Sequence, residues 1–98
     1  MNPSMMRQAR ELEAKLAKAQ QELEQATVEA SAGGGAVKIV ITGQQKVQKV
    51  TISPEAVDPA AIDLLEDLVQ TAVNDAITRS QELAKQKLGS ATGFKLPF

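Results

Sequence analysis

Residues 58–88, DPAAIDLLEDLVQTAVNDAITRSQELAKQKL, are the longest uninterrupted helical pattern in the chain. Asp58 can cap the free amides of a first helical turn, and Pro59 suits the first helical position, where no N–H is needed. Gly89 marks the expected end, so the sequence predicts a helix over 59–88. Its apolar face is wide enough to require a sheet or several helices against it. The apolar residues that recur at helical spacing are Ile62, Leu65, Val69, Ala72, Val73, Ala76 and Ile77.

The N-terminal segment carries a narrower apolar seam. Asn2-Pro3-Ser4 is a typical helix entry with Ser4 as the cap, and the sequence predicts a helix over 4–26. Apolar residues then follow at alternating spacings of four and three, a heptad pattern that favours a partner helix. We expect these residues to form a dimer interface: Met5, Ala9, Leu12, Leu16, Ala19 and Leu23.

Residues 27–52 change from a helical period to a period of two, which predicts three short antiparallel strands in a β-meander. Gly33-Gly34-Gly35 is expected to close the first hairpin with positive φ angles, and Gly43-Gln44-Gln45 to form the second turn. In the third strand Val47 is out of phase with the later apolar residues, which indicates a bulge or a strand that twists away.

The predicted fold class is α+β: a helix, a three-stranded antiparallel β-meander and a long helix, in a single domain over residues 1–98. Residues 89–98 are expected to form a flexible tail. A helix of thirty residues would be about 45 Å long, whereas a seven-residue strand covers only about 23 Å. The helices therefore extend beyond the sheet, and their uncovered apolar faces predict a dimer with protruding helical arms.

The residue types restrict the chemistry. The chain has no Cys, His, Trp or Tyr, which excludes the usual catalytic triads and zinc sites. The acidic residues of the long helix do not converge on one point, so we expect no metal site, no cofactor, no small-molecule substrate and no enzymatic activity. No stretch has the length and apolarity of a signal peptide or a membrane span, which predicts a cytoplasmic protein without membrane association.

The charges are unevenly distributed, although the net charge is only −1. Residues 54–78 carry six acidic groups and no basic one, whereas basic residues concentrate in the first helix and after residue 78. Acidic residues early and basic residues late in a helix also complement the helix dipole, which is the simpler explanation for any single position. The basic residues of the two predicted helices are Arg7, Arg10, Lys15, Lys18, Arg79, Lys85 and Lys87.

Three stretches resemble a known family: GGGAVKIVITGQQKVQKVTISPE at 33–55, LLEDLVQTAVNDAI at 64–77 and GFKLPF at 93–98. They are similar to the YbaB/EbfC family of bacterial nucleoid-associated proteins. The resemblance implies a small cytoplasmic homodimer with protruding helices that binds double-stranded DNA and associates with the nucleoid. It implies no enzymatic activity and no cofactor.

Two functions remain open from the sequence. The first is a nucleoid-associated homodimer that binds duplex DNA mainly through phosphate contacts. Charge and geometry give the candidates for DNA contact as Arg7, Arg10, Lys15, Lys18, Arg79, Lys85 and Lys87. The alternative is a dimeric protein-interaction module in which DNA binding is weak or incidental. Phosphate neutralisation makes binding fall steeply with salt concentration, whereas docking of apolar helices does not, so salt dependence distinguishes the two.

Overall fold

A computed structural model describes residues 2–92 of the chain. The elements follow the predicted order and confirm the α+β class, with a short 3₁₀ turn at Pro54–Ala56 before the last helix. The helices and strands are α1 (Pro3–Gln25), β1 (Thr27–Ala32), β2 (Val37–Thr42), β3 (Val47–Ile52) and α2 (Ile62–Thr92).

Helix α1 begins one residue earlier than predicted, and its cap is Asn2 rather than Ser4. The Oδ1 atom of Asn2 accepts a hydrogen bond from the Met5 amide at 2.8 Å, and Pro3 occupies the first turn. A residue in extended conformation followed by proline is well suited to cap a helix, so Asn2 takes the role assigned to Ser4.

The three strands form an antiparallel sheet in the order β1-β2-β3. Between β2 and β3 the register shifts, since Val40 pairs with Lys49 and Ile41 pairs with Val47. Gln48 is therefore the extra residue of a β-bulge, which confirms the expected irregularity. The bulge returns Val47 to the same face of the sheet as the later apolar residues of β3.

Both predicted turns are present. Gly33, Gly34 and Gly35 have φ angles of +64°, +67° and +96°, as expected for the hairpin between β1 and β2. In the turn between β2 and β3 the positive φ lies at Gln45 (+62°), whose amide donates to the Thr42 carbonyl.

Helix α2 packs across β1 and β2 on one face of the sheet. Alanines on both surfaces allow close approach, because Ala30 and Ala32 of β1 and Ala72 and Ala76 of α2 are all buried. The larger core residues come from β2. Together the core consists of Ala30, Ala32, Val37, Ile39, Ile41, Ala72 and Ala76, with Val28, Leu65, Leu68 and Val69 packed against it.

Both predicted ends of α2 are wrong. Asp58 caps a separate turn, accepting hydrogen bonds from Ala60 at its carboxylate and from Ala61 at its carbonyl, so the helix starts only at Ile62. At the other end Gly89 does not stop the helix, which continues to Thr92, because one glycine costs only about 1 kcal/mol in a helix interior. The tail predicted over 89–98 is thus helical as far as Thr92, and 93–98 lie outside the described residues.

The chain is elongated, with extents of 69 × 22 × 17 Å and a radius of gyration of 18.7 Å. A compact chain of this length would have a radius of gyration near 13 Å. The six-residue strands cover only about 20 Å, so α1 and α2 run well beyond the sheet, as their lengths predict. Neither helix is long and apolar enough over residues 2–92 to cross a membrane.

Candidate nucleic-acid interface

A cleft of about 470 Å³ lies between α1 and α2, and we call it the interhelical groove. Three of the seven predicted DNA-contact residues, Lys15, Lys18 and Lys87, line it together. The folded chain thus places basic residues from two distant segments on one open surface. The complete lining is Lys15, Lys18, Ala19, Glu22, Gln86, Lys87, Ser90 and Ala91.

One acidic residue faces these lysines. The Nζ atom of Lys87 lies 3.8 Å from Oε2 of Glu22, and both side chains are nearly half exposed. An exposed ion pair of this length is weak, so it does not remove Lys87 from the reach of an anion in solution. Three ammonium groups and one carboxylate leave the groove with a net charge of +2.

The other predicted contact residues lie outside the groove. Arg79 pairs with Asp75 one helical turn earlier, with 2.9 Å between Nε and Oδ2. This pair gives Asp75 an intrahelical partner. Lys85 is partly buried and does not line the groove.

Arg7 and Arg10 lie in the exposed N-terminal half of α1. Arg7 precedes Lys18 by eleven residues, or about three helical turns, so the two share one edge of the helix. Arg10 is turned about 60° away from Arg7 and about 80° away from Lys18, since each residue advances the helix by about 100°. Arg7 extends the basic edge of the groove towards the helix tip, and Arg10 does not.

The heptad seam of α1 divides into two parts. Ala19 and Leu23 are buried within the chain, and in this conformation they are not available to a second protomer. Leu16 is half-buried, whereas Met5, Ala9 and Leu12 are exposed. Helix α2 of the same chain is the partner of α1, so the seam supplies a contact within the protomer along its second half.

A second apolar surface was not found from the sequence. Val47, Val50 and Ile52 lie opposite Ile41, Ile39 and Val37 of β2, so all three share the sheet face on which α2 packs. Because α2 crosses β1 and β2, β3 is left uncovered, and Val47 and Val50 are 53% and 52% exposed. Exposed Val73 and half-buried Ile77 of α2 adjoin Val47 in one shallow cavity. We call Val47, Val50, Ile52, Val73 and Ile77 the β3 strip.

The outer face of the sheet is mostly polar, with Val40 in its centre. Lys38 and Lys49 are exposed there, on neighbouring strands, and Glu29 of β1 is the acidic residue beside them. Neither lysine lines the groove, so Lys38 and Lys49 provide a separate basic surface for comparison.

Two further observations concern chemistry. Among residues 2–92, no three His, Cys, Asp or Glu side chains are grouped as a metal site would require. Beyond the sheet, the Ser53 hydroxyl donates a hydrogen bond to Oε2 of Glu55 and lowers the pKa of that exposed carboxyl.

The fold and the groove define a small α+β protein with two long helices and a lysine-lined cleft between them. The chain belongs to the YbaB/EbfC DNA-binding family, which matches residues 1–95. This confirms the resemblance seen in the sequence.

Relatives of similar length carry the same kind of name. A nucleoid-associated protein of Dictyoglomus turgidum is 47% identical over 93 residues, covering 94% of this chain and 89% of the relative. A nucleoid-associated protein of Desulforamulus reducens is 48% identical over 89 residues, covering 91% and 85%. A crystal structure of an uncharacterized Helicobacter pylori protein superposes with a TM-score of 0.80 at 15% identity, covering 95% and 99%. That last likeness concerns the fold alone.

Proposed function

We propose that this protein is a nucleoid-associated homodimer that binds duplex DNA through phosphate contacts at the interhelical groove. The observation that carries the proposal is the meeting of Lys15, Lys18 and Lys87 in one open cleft, in a chain whose family is DNA-binding. The names of its relatives support a location at the nucleoid, in the cytoplasm. No catalytic step is part of the proposal.

The charge distribution favours binding at this end of the molecule. With a net charge of −1, the chain has no general attraction for phosphate, so binding depends on where its cations lie. The acidic stretch 54–78 includes the first half of α2, whereas Lys87 lies in its last turns. Phosphate is therefore repelled by the first half of α2 and attracted by the groove beside its end.

The proposed homodimer would join two copies through the β3 strip. An edge strand that carries exposed valines beside an exposed helix face is a surface that soluble proteins normally cover. A second copy offers the same surface, and a two-fold axis would pair strip with strip. The dimer would then present two grooves, so each phosphate contact is available twice to one duplex. The exposed seam residues Met5 and Leu12 remain the alternative dimer surface predicted from the sequence.

Paired lysine substitutions test the binding surface. The double variant Lys15→Gln, Lys18→Gln removes two groove cations per protomer without reversing charge. Its matched control is Lys38→Gln, Lys49→Gln, which removes two cations from the outer sheet face. We expect only the groove variant to bind random duplex DNA more weakly. Its slope of log affinity against log salt should flatten by up to about 3.6, since a dimer loses four phosphate contacts. Equal losses in both variants would contradict the groove as the binding surface.

A second candidate function is a dimeric protein-interaction module. The specific observation in its favour is the exposure of Met5 and Leu12 on the first half of α1, where the seam has no cover from the described residues. Binding of a protein helix to this seam would change little between low and moderate salt, whereas duplex binding would fall by orders of magnitude. A complex with a protein partner that persists at high salt would favour this second function.

A further inference from the structure

The turn between β2 and β3 contacts both long helices at the level where they leave the sheet. We call Thr42 to Lys46 the anchor turn. On its α1 side, the Gly43 amide donates to the Leu23 and Ala26 carbonyls at 3.1 Å each. The Leu23 carbonyl is one of the last in the helix and has no partner further along it, so the turn caps the C-terminal end of α1.

Gly43 also allows close packing. A Cβ atom at this position would overlap Cδ2 of Leu23 and lie 3.2 Å from its Cβ. The φ angle of Gly43 is not positive, so the position requires glycine for space rather than for backbone conformation. Leu23 is buried against the turn as a result. Gln44 adds a contact one turn earlier in α1: its side-chain amide donates to the Gln20 carbonyl at 3.1 Å.

On its α2 side the anchor turn is held by one buried hydroxyl. Oγ of Ser80 donates to the Thr42 carbonyl at 2.7 Å and accepts from the Gln45 amide at 3.2 Å. Ser80 is fully buried. Loss of the hydroxyl would remove one partner from the buried Thr42 carbonyl and one from the part-buried Gln45 amide, although these two groups keep their hydrogen bond to each other. Removing a partner from a buried polar group is costly. The Ser80 side chain thus fixes the anchor turn to α2, and the anchor turn holds α1.

We propose that the anchor turn sets the direction of α1 relative to the sheet, with Ser80 and Gln44 as positioning residues for DNA binding. Helix α2 is fixed to the sheet by its own apolar stripe. The hydrogen bonds from the anchor turn reach α1 near its C-terminal end, at Gln20 and Leu23, and α1 otherwise packs against α2. The part of α1 that carries Arg7 and Lys15 therefore extends from a joint defined by this turn. The width of the groove and the placement of its lysines depend on that joint. The DNA part of this inference rests on the proposed function.

A distance measurement tests the joint directly. The chain has no cysteine, so spin labels attached at Gln8→Cys on α1 and Ser31→Cys on the outer sheet face report the direction of α1. Mixing the labelled protein with excess unlabelled protein restricts the signal to one chain. We expect a narrow distance distribution in the parent and a broader one in Ser80→Ala and in Gln44→Ala. Gln44 is exposed, so its variant tests the joint without disturbing the core.

Duplex binding is measured on the same variants without labels. We expect Ser80→Ala and Gln44→Ala to bind duplex DNA at least about threefold more weakly than the parent, because a less ordered α1 must be fixed on binding. The control is Ile39→Val, which removes one methylene from the core of β2 and touches neither side of the anchor turn. It should lower the melting temperature and leave both the distance distribution and the affinity unchanged.

The outcomes test the positioning of α1 separately from the proposed DNA binding. Distributions as narrow as the parent's in Ser80→Ala and Gln44→Ala would overturn the inference, as would equal broadening in Ile39→Val. Broader distributions with unchanged affinity would overturn the role of the joint in DNA binding. A parent protein that does not bind duplex DNA at low salt would overturn the proposed function instead. The distances alone would then decide whether the turn positions α1.

Discussion

Lys87 of α2 and Glu22 of α1 face each other across the interhelical groove, with 3.8 Å between Nζ and Oε2. The carboxylate reduces the positive potential at the place where we propose that phosphate binds. The pair also holds the two helices together by only a weak exposed contact. Among the residues that line the groove, Glu22 is therefore the one whose charge lowers the affinity for an anion.

Glu22→Gln should tighten duplex binding. The substitution raises the groove charge from +2 to +3 and frees Lys87 for phosphate. In a dimer the slope of log affinity against log salt should steepen by up to about 1.8. The matched control is Glu24→Gln, which removes the same charge from an exposed position of α1 outside the groove. Equal gains in both variants would show that net charge, rather than the groove, controls binding.

Val50→Lys should dissociate the proposed dimer. Val50 lies in the middle of the β3 strip, directly opposite Ile39, and a two-fold axis would bring two lysines into one apolar contact. Sedimentation at a concentration where the parent is dimeric should give a monomer. Leu64→Lys is the control, because Leu64 is 59% exposed but lies outside the strip.

The same experiment decides between the strip and the seam of α1. Leu16→Lys places a charge in the seam that the sequence predicts as a dimer interface. Dissociation by Leu16→Lys, with Val50→Lys still dimeric, would assign the interface to the seam. A parent that sediments as a monomer would contradict both surfaces.

Gly34→Ala should destabilise the fold through backbone conformation alone. Gly34 has φ +67°, and an added Cβ would meet no atom within 4 Å. A left-handed conformation costs an L-residue about 1–2 kcal/mol, and urea unfolding should show a loss of that size. Gly34→Asn should lose less, since asparagine adopts this conformation more readily. Equal losses from the two variants would indicate a cause other than φ.

Ser53→Ala should raise the pKa of Glu55, which the Ser53 hydroxyl lowers by hydrogen bonding to the carboxylate. Because the folded-state pKa is the lower one, the hydrogen bond stabilises the fold above the ordinary pKa of glutamate. That contribution disappears as the pH falls through the lowered value. Titration of the Glu55 side-chain resonances by NMR measures the shift in both proteins. An identical titration would rule out the hydroxyl as the cause.

The order and type of the elements could be predicted because each has its own period of apolar residues. The ends of α2 could not, because a cap signal does not say which element it caps. Asp58 caps a turn instead of the helix, and Gly89 is accommodated within the helix. Local signals of this kind depend on what the neighbouring residues do in three dimensions.

The sites were less predictable than the fold. Lys18 and Lys87 are recognisable as basic residues, but nothing in the sequence brings together two positions so far apart. The β3 strip was missed because one extra residue, Gln48, changes which side of the strand Val47 occupies. A pattern with a period of two loses its meaning across a bulge. The seam of α1 was found, but its second half proved to be covered by its own chain.

The length of 69 Å has a consequence for stoichiometry on DNA. Laid along a duplex, one protomer of that length would cover about 20 base pairs, at 3.4 Å each. Bound through the ends of its helices, with its long axis perpendicular to the duplex, one protomer would cover a stretch closer to its 22 Å width, about six base pairs. The number of protomers that saturate a DNA fragment of known length therefore reports the orientation in which the protein binds.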